Sequence, residues 1–529
     1  MLRHVYLFAA LLVIDLSWEG AGQTLYTPGR TPNQPVSQNR YKITGTVVNS
    51  ATGEPIGRAV VVINGSMSQR VFTDGSGRFE MSDVPEGQIV VNAQRPGFLS
   101  REMTGHQSPI ITVGPATPPI QVKLIPEGTI RGKVTNNEGE PLENVGVQVM
   151  SQQINNGHKN WLPRGGTQTD ENGEYQIEDL PPGQYILHTS TYVLSPAASV
   201  AENSPVNDTC PPQYFPSASE EDNAQPINIQ AGQMAEADFR LSPVPSYNVS
   251  GIVSGPENTN VSCQDANGNP LGSGQIDHRT GRFKLLHVPS GSCTLTFQGQ
   301  GSQEANFKTY FAEQAITIGS SDLSGIQASA QPLPDIPVHF GDSTGAIPVQ
   351  LQLMRRQKRG SSQQHYLITQ PGQAPVFQNV PPGSYKLIAQ NFGNACVNTI
   401  SQGSTDLLRE DLTVVGGSAQ AEPIELSLRN DCATLSGTLE TNSPGDAGTV
   451  LVASSSPGAE PRIFPFMNGA FSLSGLTPGD YTVYAFTDIS GLEYANPEAL
   501  REFSGQKITL GPGAKTALQL NLITRGDGQ

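Results

Sequence analysis

The sequence predicts an all-β protein made of about five tandem β-sandwich domains that follow an N-terminal signal peptide. Gly (56 residues) and Pro (42 residues) make up nearly a fifth of the 529 residues, which is typical of many short strands joined by turns. A Gly-, Pro- and aromatic-containing motif recurs at the size of one sandwich domain. No long stretch has helical periodicity. One helical turn is expected around residues 497–503.

The motif is clearest in its second copy. Residues 130–134 read Ile-Arg-Gly-Lys-Val and predict a first strand, because alternate side chains face one side. Residues 139–142, Gly-Glu-Pro-Leu, predict a turn, and residues 145–149 alternate as a second strand. Residues 169–175 predict a hairpin turn that ends on an inward aromatic side chain. Residues 180–185, Leu-Pro-Pro-Gly-Gln-Tyr, predict another tight turn leading into a buried strand.

The spacing of the motif copies predicts the domain boundaries. The first, second and fifth copies keep most of the motif, whereas the third and fourth keep little besides the Pro-Gly turn. Each domain is expected to bury its own core, so that the domains follow one another like beads on a string. We therefore predict a signal peptide at 1–22, a flexible linker at 23–40, and domains at 41–126, 127–243, 244–331, 332–431 and 432–524.

The N-terminus has the composition of a secretory leader. Arg3 supplies a positive charge, residues 5–14 are apolar, and residues 20–22 are small. The alternative, a retained membrane anchor, is disfavoured by Asp15 and Glu19, which follow the apolar run at once. The expected location is therefore extracytoplasmic, that is secreted, periplasmic or at the cell surface. No transmembrane segment is expected in the mature chain.

Five cysteines lie in the exported part of the chain. Export permits disulfides, and the candidate pairs are Cys263 with Cys293 and Cys396 with Cys432. Cys210 is then left unpaired. The alternative is that some of these cysteines stay reduced, since spacing alone does not define disulfide geometry.

The charge distribution argues against nucleic acid as a partner. The net charge is −16 and the isoelectric point is about 5.0, whereas phosphate binding needs a concentrated basic face. The single basic cluster, residues 355–359, is interpreted as a solvated loop.

The sequence contains no constellation typical of catalysis or metal binding. None of the eight His has a partner at metal-ligand spacing, and no Gly-x-Ser-x-Gly motif is present. Residues 74–77, 170–173 and 265–269 carry oxygen ligands, but too few for a calcium site, so they are interpreted as turns. We therefore predict no catalytic residue, no metal and no cofactor.

One segment has the composition of a sugar-binding surface. Trp161, the sole Trp of the predicted mature chain, lies among Asn, His and Lys residues, in a region expected to form a long loop. Tyr214 and Phe215 are expected to add a second aromatic plane. Ordinary packing of Trp161 in the domain is the alternative, and it is the favoured one.

The motif residues resemble the carboxypeptidase regulatory-like domain, a transthyretin-like or prealbumin-like relative of Ig-like sandwiches. Residues 41–241 match its pattern well, and the fifth copy matches it fairly. The whole chain looks like exported acidobacterial proteins of this type. The resemblance implies an extracytoplasmic location, an accessory or structural role, and kinship with carbohydrate-binding-like folds of the starch-binding type. Because a fold alone defines no ligand, it names no binding partner.

These observations together predict a non-catalytic exported protein with a structural, adhesion or protein-interaction role at the cell surface. The alternative is a carbohydrate-binding accessory protein. The expected partners are accordingly surface proteins or polysaccharide. An enzyme of an unrecognised kind is the third hypothesis, and no group of residues supports it.

Overall fold

The computed structural model describes residues 39–524, except for residues 105–107, 109, 195–207, 257, 303–307, 342–348, 357–363, 370–373, 392–394, 417–420, 441–446, 457–458 and 468. The predicted signal peptide and most of the predicted linker lie outside the described residues. The chain divides into two compact units, residues 1–125 and 126–529. Strands dominate both units, so the all-β prediction is confirmed.

The first unit contains the strands of domain 1. They are β1 (Arg40–Asn49), β2 (Val60–Asn64), β3 (Gln69–Phe72), β4 (Arg78–Pro85), β5 (Gly87–Gln94), β6 (Phe98–Leu99), β7 (Ile110–Val113) and β8 (Ile120–Pro126), with a 3₁₀ turn at Glu102–Thr104. Two four-stranded sheets result, in the orders β4-β1-β8-β6 and β3-β2-β5-β7.

The second unit begins with domains 2 and 3. Domain 2 contains β9 (Gly128–Thr135), β10 (Gly146–Asn155), β11 (His158–Gln168), β12 (Glu174–Leu180), β13 (Gly183–Thr189), β14 (Tyr192–Val193), β15 (Asp208–Cys210), β16 (Ile227–Ile229), β17 (Met234–Glu236) and β18 (Phe239–Arg240), with a 3₁₀ turn at Glu221–Asn223. Domain 3 contains β19 (Val244–Ser254), β20 (Asn260–Gln264), β21 (Pro270–Asp277), β22 (Arg282–Pro289), β23 (Gly291–Gln300), β24 (Thr309–Ile318), β25 (Leu323–Ser329) and β26 (Gln331–Pro332).

Domains 4 and 5 complete the second unit. Domain 4 contains β27 (Ile336–Phe340), β28 (Val349–Arg355), β29 (Gln364–Tyr366), β30 (Val376–Phe377), β31 (Gly383–Asn391), β32 (Cys396–Gln402), β33 (Thr405–Asp406), β34 (Leu412–Val414) and β35 (Ile424–Arg429). Domain 5 contains β36 (Ala433–Glu440), β37 (Ala447–Ser454), β38 (Arg462–Met467), β39 (Ala470–Leu476), β40 (Gly479–Phe486), α1 (Pro497–Leu500), β41 (Gln506–Leu510) and β42 (Lys515–Asn521). The helix α1 confirms the predicted helical turn, and the side chain of Asn496 caps it by accepting a hydrogen bond from Glu498 N.

All five domains share one feature of their strand pairing. In each of them the first strand pairs in parallel with strands near the domain's C-terminal end: β1 with β8, β9 with β17 and β18, β19 with β25, β27 with β35, and β36 with β42. A central antiparallel pair, such as β10 with β13 or β28 with β31, lies in a second sheet in domains 1, 2 and 4. In domains 3 and 5 the central pair belongs to the same continuous sheet as the first strand. Domains 3 and 4 therefore keep the parallel pairing of the first strand although their sequence motifs have diverged.

Each domain has its own hydrophobic core. The described residues form five separate main clusters, one per domain, made of aliphatic and aromatic side chains with a few Ala, Met and Cys. Fully buried aromatic rings include Tyr185, Tyr385, Phe239 and Phe297. Burial of such side chains is the main term that stabilises each sandwich.

The glycine of the first-strand motif has a packing function that the pattern alone did not reveal. Gly132 pairs with Tyr175 on the neighbouring strand, and a Cβ atom at Gly132 would overlap the backbone carbonyl of Ala237. The Tyr175 ring lies over the glycine, and its hydroxyl donates a hydrogen bond to the same carbonyl oxygen. In domains 1, 3 and 5, Gly45, Gly251 and Gly437 stand opposite Phe79, Phe283 and Phe471. The glycine and the aromatic residue are thus one cross-strand packing unit.

The Pro-Gly-x-Tyr turn contains a second repeated contact. The hydroxyl groups of Tyr185, Tyr385 and Tyr481 each donate a hydrogen bond to the carbonyl oxygen four residues earlier in the chain. Burial raises the pKa of Tyr385 to about 12. In domains 1 and 3, Ile89 and Cys293 occupy the corresponding place in the turn. The turn therefore closes without this hydrogen bond in those two domains.

Residues 126–529 do not follow the expected arrangement of beads on a string. Strand β15, which follows β14 in domain 2, pairs with β19 at the start of domain 3. Lys308 of domain 3 forms an ion pair with Asp335 of domain 4, with 2.6 Å between Nζ and Oδ2. The domains contact one another because polar and strand-edge groups near the domain ends form hydrogen bonds and ion pairs with the next domain instead of with water.

Candidate functional site

The segment around Trp161 is a long β-hairpin and not the expected long loop. Strands β10 and β11 stay paired from Gly146 with Gln168 to Asn155 with His158. Asn156 and Gly157 form the two-residue turn, with φ values of 49° and 76°. Both central residues of a type I′ turn need positive φ, and Asn-Gly is the usual choice. This dipeptide was the sequence signal that would have predicted the hairpin.

The predicted aromatic surface is corrected by the positions of its members. Trp161 lies on β11 opposite Gln152 and is half-buried. Tyr214 is completely buried, and Phe215 packs against the domain 2 core, edge-on to Phe239. The Tyr214 ring therefore presents no face to solvent on which a sugar would stack, and the Phe215 ring is only partly exposed. The hydrophobic effect explains the difference, since both rings fill the space beside β13 and β18.

Tyr214 instead connects domains 2 and 3. Its hydroxyl group exchanges hydrogen bonds with the side-chain amide of Asn269 in domain 3, at 3.1 and 3.2 Å. Its ring packs on that of His188, with 5.2 Å between the ring centroids. The sequence predicted that Tyr214 is part of an exposed aromatic surface, whereas its side chain is buried in the contact between domains 2 and 3.

Four of the five cysteines are joined in disulfides. The structure links Cys263 with Cys293 and Cys396 with Cys432, the two candidate pairs from the sequence. The first lies inside the domain 3 core and connects β20 with β23. The second connects β32 of domain 4 to the residue just before β36, where domain 5 begins. Cys210 is a buried free thiol.

The three Asp-containing turns use their carboxylates within the turn. Asp74 Oδ1 accepts hydrogen bonds from Ser76 N and Arg78 N at 2.9 Å. The same pattern holds at Asp170 and Asp265. Hydrogen bonds from Arg78 and Ser76 lower the pKa of Asp74. This geometry favours the interpretation as turns. Within the described part of the chain, no group of three or more His, Cys, Asp and Glu side chains is placed to hold a metal ion.

The tip of the β10–β11 hairpin contacts domain 5. Ala495 N donates a hydrogen bond of 3.1 Å to Gly157 O. Tyr494 lies so close to Gly157 that a Cβ atom there would be 2.5 Å from the Tyr494 ring. His158 Nε2 lies 3.1 Å from Glu460 Oε2. The hairpin therefore brings domain 2 against a segment more than 300 residues later in the chain.

Glu460 lies where domains 2, 4 and 5 meet. Burial acts to raise its pKa, but the net shift is downward, because His158 forms a hydrogen bond with the carboxylate. The positive charges of Lys386 and Arg356 in domain 4 act in the same direction. Lys386 is itself buried. The carboxylate is thus held in its charged form by groups from two other domains.

No helix in the described residues is long and apolar enough to cross a membrane. The strands, cores and junctions define the class of this molecule as a multi-domain β-sandwich protein. Residues 42–118 and 129–242 match the carboxypeptidase regulatory-like domain. The two matched ranges lie in domains 1 and 2, where the motif resembles that domain most clearly.

Among curated proteins, the chain is similar to Colossin-A of Dictyostelium discoideum, with 23% identity over 505 residues, or 85% of this chain. The chain spans only 4% of the length of that relative.

Among solved structures, the chain is similar to the Bacillus anthracis TIE protein, with 15% identity over 55% of this chain and 50% of that one and a TM-score of 0.18. A streptococcal ancillary pilin is 12% identical over 55% of this chain and 100% of that one, with a TM-score of 0.20. BcpA, the major pilin subunit of Bacillus cereus, is 10% identical over 57% of this chain and 99% of that one, with a TM-score of 0.14.

Proposed function

We propose that the protein is a non-catalytic, exported protein with a structural, adhesion or protein-interaction role at the cell surface. The observation that carries the proposal is the direct joining of domains 2 to 5 by strand pairing, ion pairs, a disulfide and the docked hairpin. Such contacts restrict the motion between neighbouring domains. A protein that holds or extends other molecules at a surface needs this restriction, whereas independent binding modules do not.

The cores support the non-catalytic part of the proposal. In the described residues, the five main clusters consist of packing side chains, and the buried Tyr hydroxyls of the repeated turns are used in hydrogen bonds to the backbone.

Exposed edge strands such as β3 and β7 of domain 1 present backbone groups with which an added strand would pair. Protein–protein contacts through these edges fit the proposed role.

Export is tested by counting free thiols. We expect the chain produced with its leader to carry one free thiol, that of Cys210, and the chain lacking residues 2–22 to carry five in a reducing cytosol. Mass spectrometry after alkylation of the unfolded protein measures the number. Alkylation of the native exported protein is expected to be slow, because burial raises the pKa of the Cys210 thiol to about 11, with a smaller effect from Asp208. Equal thiol numbers in both preparations would contradict export.

The joined arrangement is tested at the hairpin tip. Gly157→Ala is expected to displace the hairpin from domain 5, because the new Cβ atom would overlap the Tyr494 ring. Hydrogen exchange of residues 489–503 is expected to become at least tenfold faster.

The matched control for the hairpin test is Gly139→Ala. Gly139 also has a positive φ, 85°, but no atom lies within 4 Å of its added Cβ. The control therefore introduces the same kind of backbone strain without the clash. If both variants exchange residues 489–503 at the wild-type rate, the hairpin does not hold domain 5 and the joined arrangement is wrong.

A further inference from the structure

An open cavity of about 540 Å³ lies between domains 2 and 3. The outer face of the β11-β10-β13 sheet forms one wall, and the turn between β20 and β21 forms the other. Its size is within the range of small-molecule sites, which occur preferentially at domain junctions. The polar residues that line the two walls include Gln148, His188, Gln264, Asn267 and Asn269.

The lining is polar and carries no formal charge apart from any on His188. Amide, hydroxyl and imidazole groups alternate with apolar patches from Met150, Pro163 and Pro212, and no Asp, Glu, Lys or Arg is among the lining residues. The nearby carboxylate of Asp265 accepts hydrogen bonds from Asn267 N and from both the backbone and side-chain nitrogens of Asn269, each at 2.8 Å. A phosphate or carboxylate ligand would therefore find no Lys or Arg in the lining to balance its charge.

Tyr214 holds the two walls in a defined position. Through its hydrogen bonds to Asn269 and its ring contact with His188, it connects one lining residue of domain 3 with one of domain 2. Asn269 is 7% exposed and His188 is 7% exposed, so both are held within the wall. A site that is positioned before the ligand arrives loses less entropy on binding.

Two amides in the walls remain available to a ligand. The side chains of Gln148 in domain 2 and Gln264 in domain 3 make no hydrogen bond to any residue that the structure describes. Each offers a carbonyl acceptor and two N–H donors. Trp161 precedes the lining residue Pro163 by two positions on β11, so both side chains lie on the same face of that strand. Trp161 therefore lies next to the lining residues on this face of the hairpin, although it is not itself part of the lining.

We infer that this cavity binds a neutral carbohydrate. Sugar hydroxyl groups both donate and accept hydrogen bonds, which matches uncharged amides, and the C–H faces of a pyranose ring match Met, Pro and Trp side chains. The inference goes beyond the proposed structural role, because it adds a small-ligand site with its own residues. It also replaces the aromatic set expected from the sequence: Tyr214 positions the walls, and the glutamines bind the ligand.

The test is calorimetric titration of the full mature chain with maltohexaose, cellohexaose, xylohexaose and mannohexaose. At least one of these is expected to bind with a Kd on the order of 1 mM or tighter. The double variant Gln148→Ala/Gln264→Ala is expected to bind it at least tenfold more weakly. Because neither glutamine is buried, the variant is expected to keep the fold, which circular dichroism checks.

The matched control replaces two exposed strand glutamines away from the cavity, Gln88→Ala/Gln298→Ala, and is expected to keep wild-type affinity. Two outcomes would overturn the inference. One is the absence of binding to all four oligosaccharides. The other is binding that Trp161→Ala abolishes while the Gln148/Gln264 variant retains it, since the ligand would then lie on the hairpin and not in the cavity.

Discussion

Gly132→Ala is expected to lower the free energy of unfolding of domain 2 by about 2 kcal/mol or more. The added methyl group would overlap the Ala237 carbonyl and crowd the Tyr175 ring. Relief requires β9 to move away from β18 or Tyr175 to leave its place, and either movement breaks the hydrogen bond from Tyr175 to Ala237. The backbone cannot yield as a flexible side chain would, which makes this a large effect for one methyl group.

Urea-dependent hydrogen exchange of the full chain measures this prediction, because it reports each domain separately. The matched control is Gly183→Ala in the same domain, where the nearest atoms are 3.8 Å from the added Cβ. The control is expected to stay within about 0.5 kcal/mol of the wild type. Equal stability of the two variants would show that the first-strand glycine has no packing function.

Removal of the Cys263–Cys293 disulfide is expected to lower the free energy of unfolding of domain 3 by about 3 to 4 kcal/mol. The bond closes a loop with a sequence separation of 30 and joins the neighbouring strands β20 and β23 on their core-facing side. Without it the unfolded chain gains conformational freedom, and the two Ala side chains of a Cys263→Ala/Cys293→Ala variant leave space between buried neighbours.

The comparison for the disulfide is Cys210→Ala, which truncates a buried thiol without opening a cross-link. Its effect is expected to be about 1 kcal/mol and confined to domain 2 and its junction with domain 3. Denaturant unfolding of the oxidised, exported protein gives both values. The disulfide assignment would be wrong if adding a reductant left the wild-type domain 3 as stable as before.

The repeated strand and turn motifs show how far local patterns reach. Neighbouring residues alone were enough to recognise the alternation in residues 145–149 and the turns at 139–142 and 180–185. Strands β10, β12 and β13 lie at or directly beside these segments. The expected loop near Trp161 was wrong because its polar residues obscured an Asn-Gly hairpin turn. Strand pairing in a hairpin tolerates polar side chains, so the polar composition did not indicate a loop. The Asn-Gly dipeptide would have predicted the hairpin.

The binding residues show where such patterns fail. Gln148 and Gln264 are ordinary strand residues in different domains, and no motif surrounds either of them. They line one cavity only because Tyr214 and the pairing of β15 with β19 bring the two domains together. A site shared between domains leaves no continuous signal in the chain.

By itself, the sequence determined the all-β class, the recurring strand and turn motifs, and the absence of a recognisable catalytic motif, because each of these depends on residues a few positions apart. Only the tertiary structure decided which strands pair in parallel, why Gly132 must lack a side chain, and that Tyr214 is buried at a junction. It also brought His158 to Glu460, 302 positions away. Such contacts follow from the packing of whole domains, which local periodicity and turn chemistry do not specify.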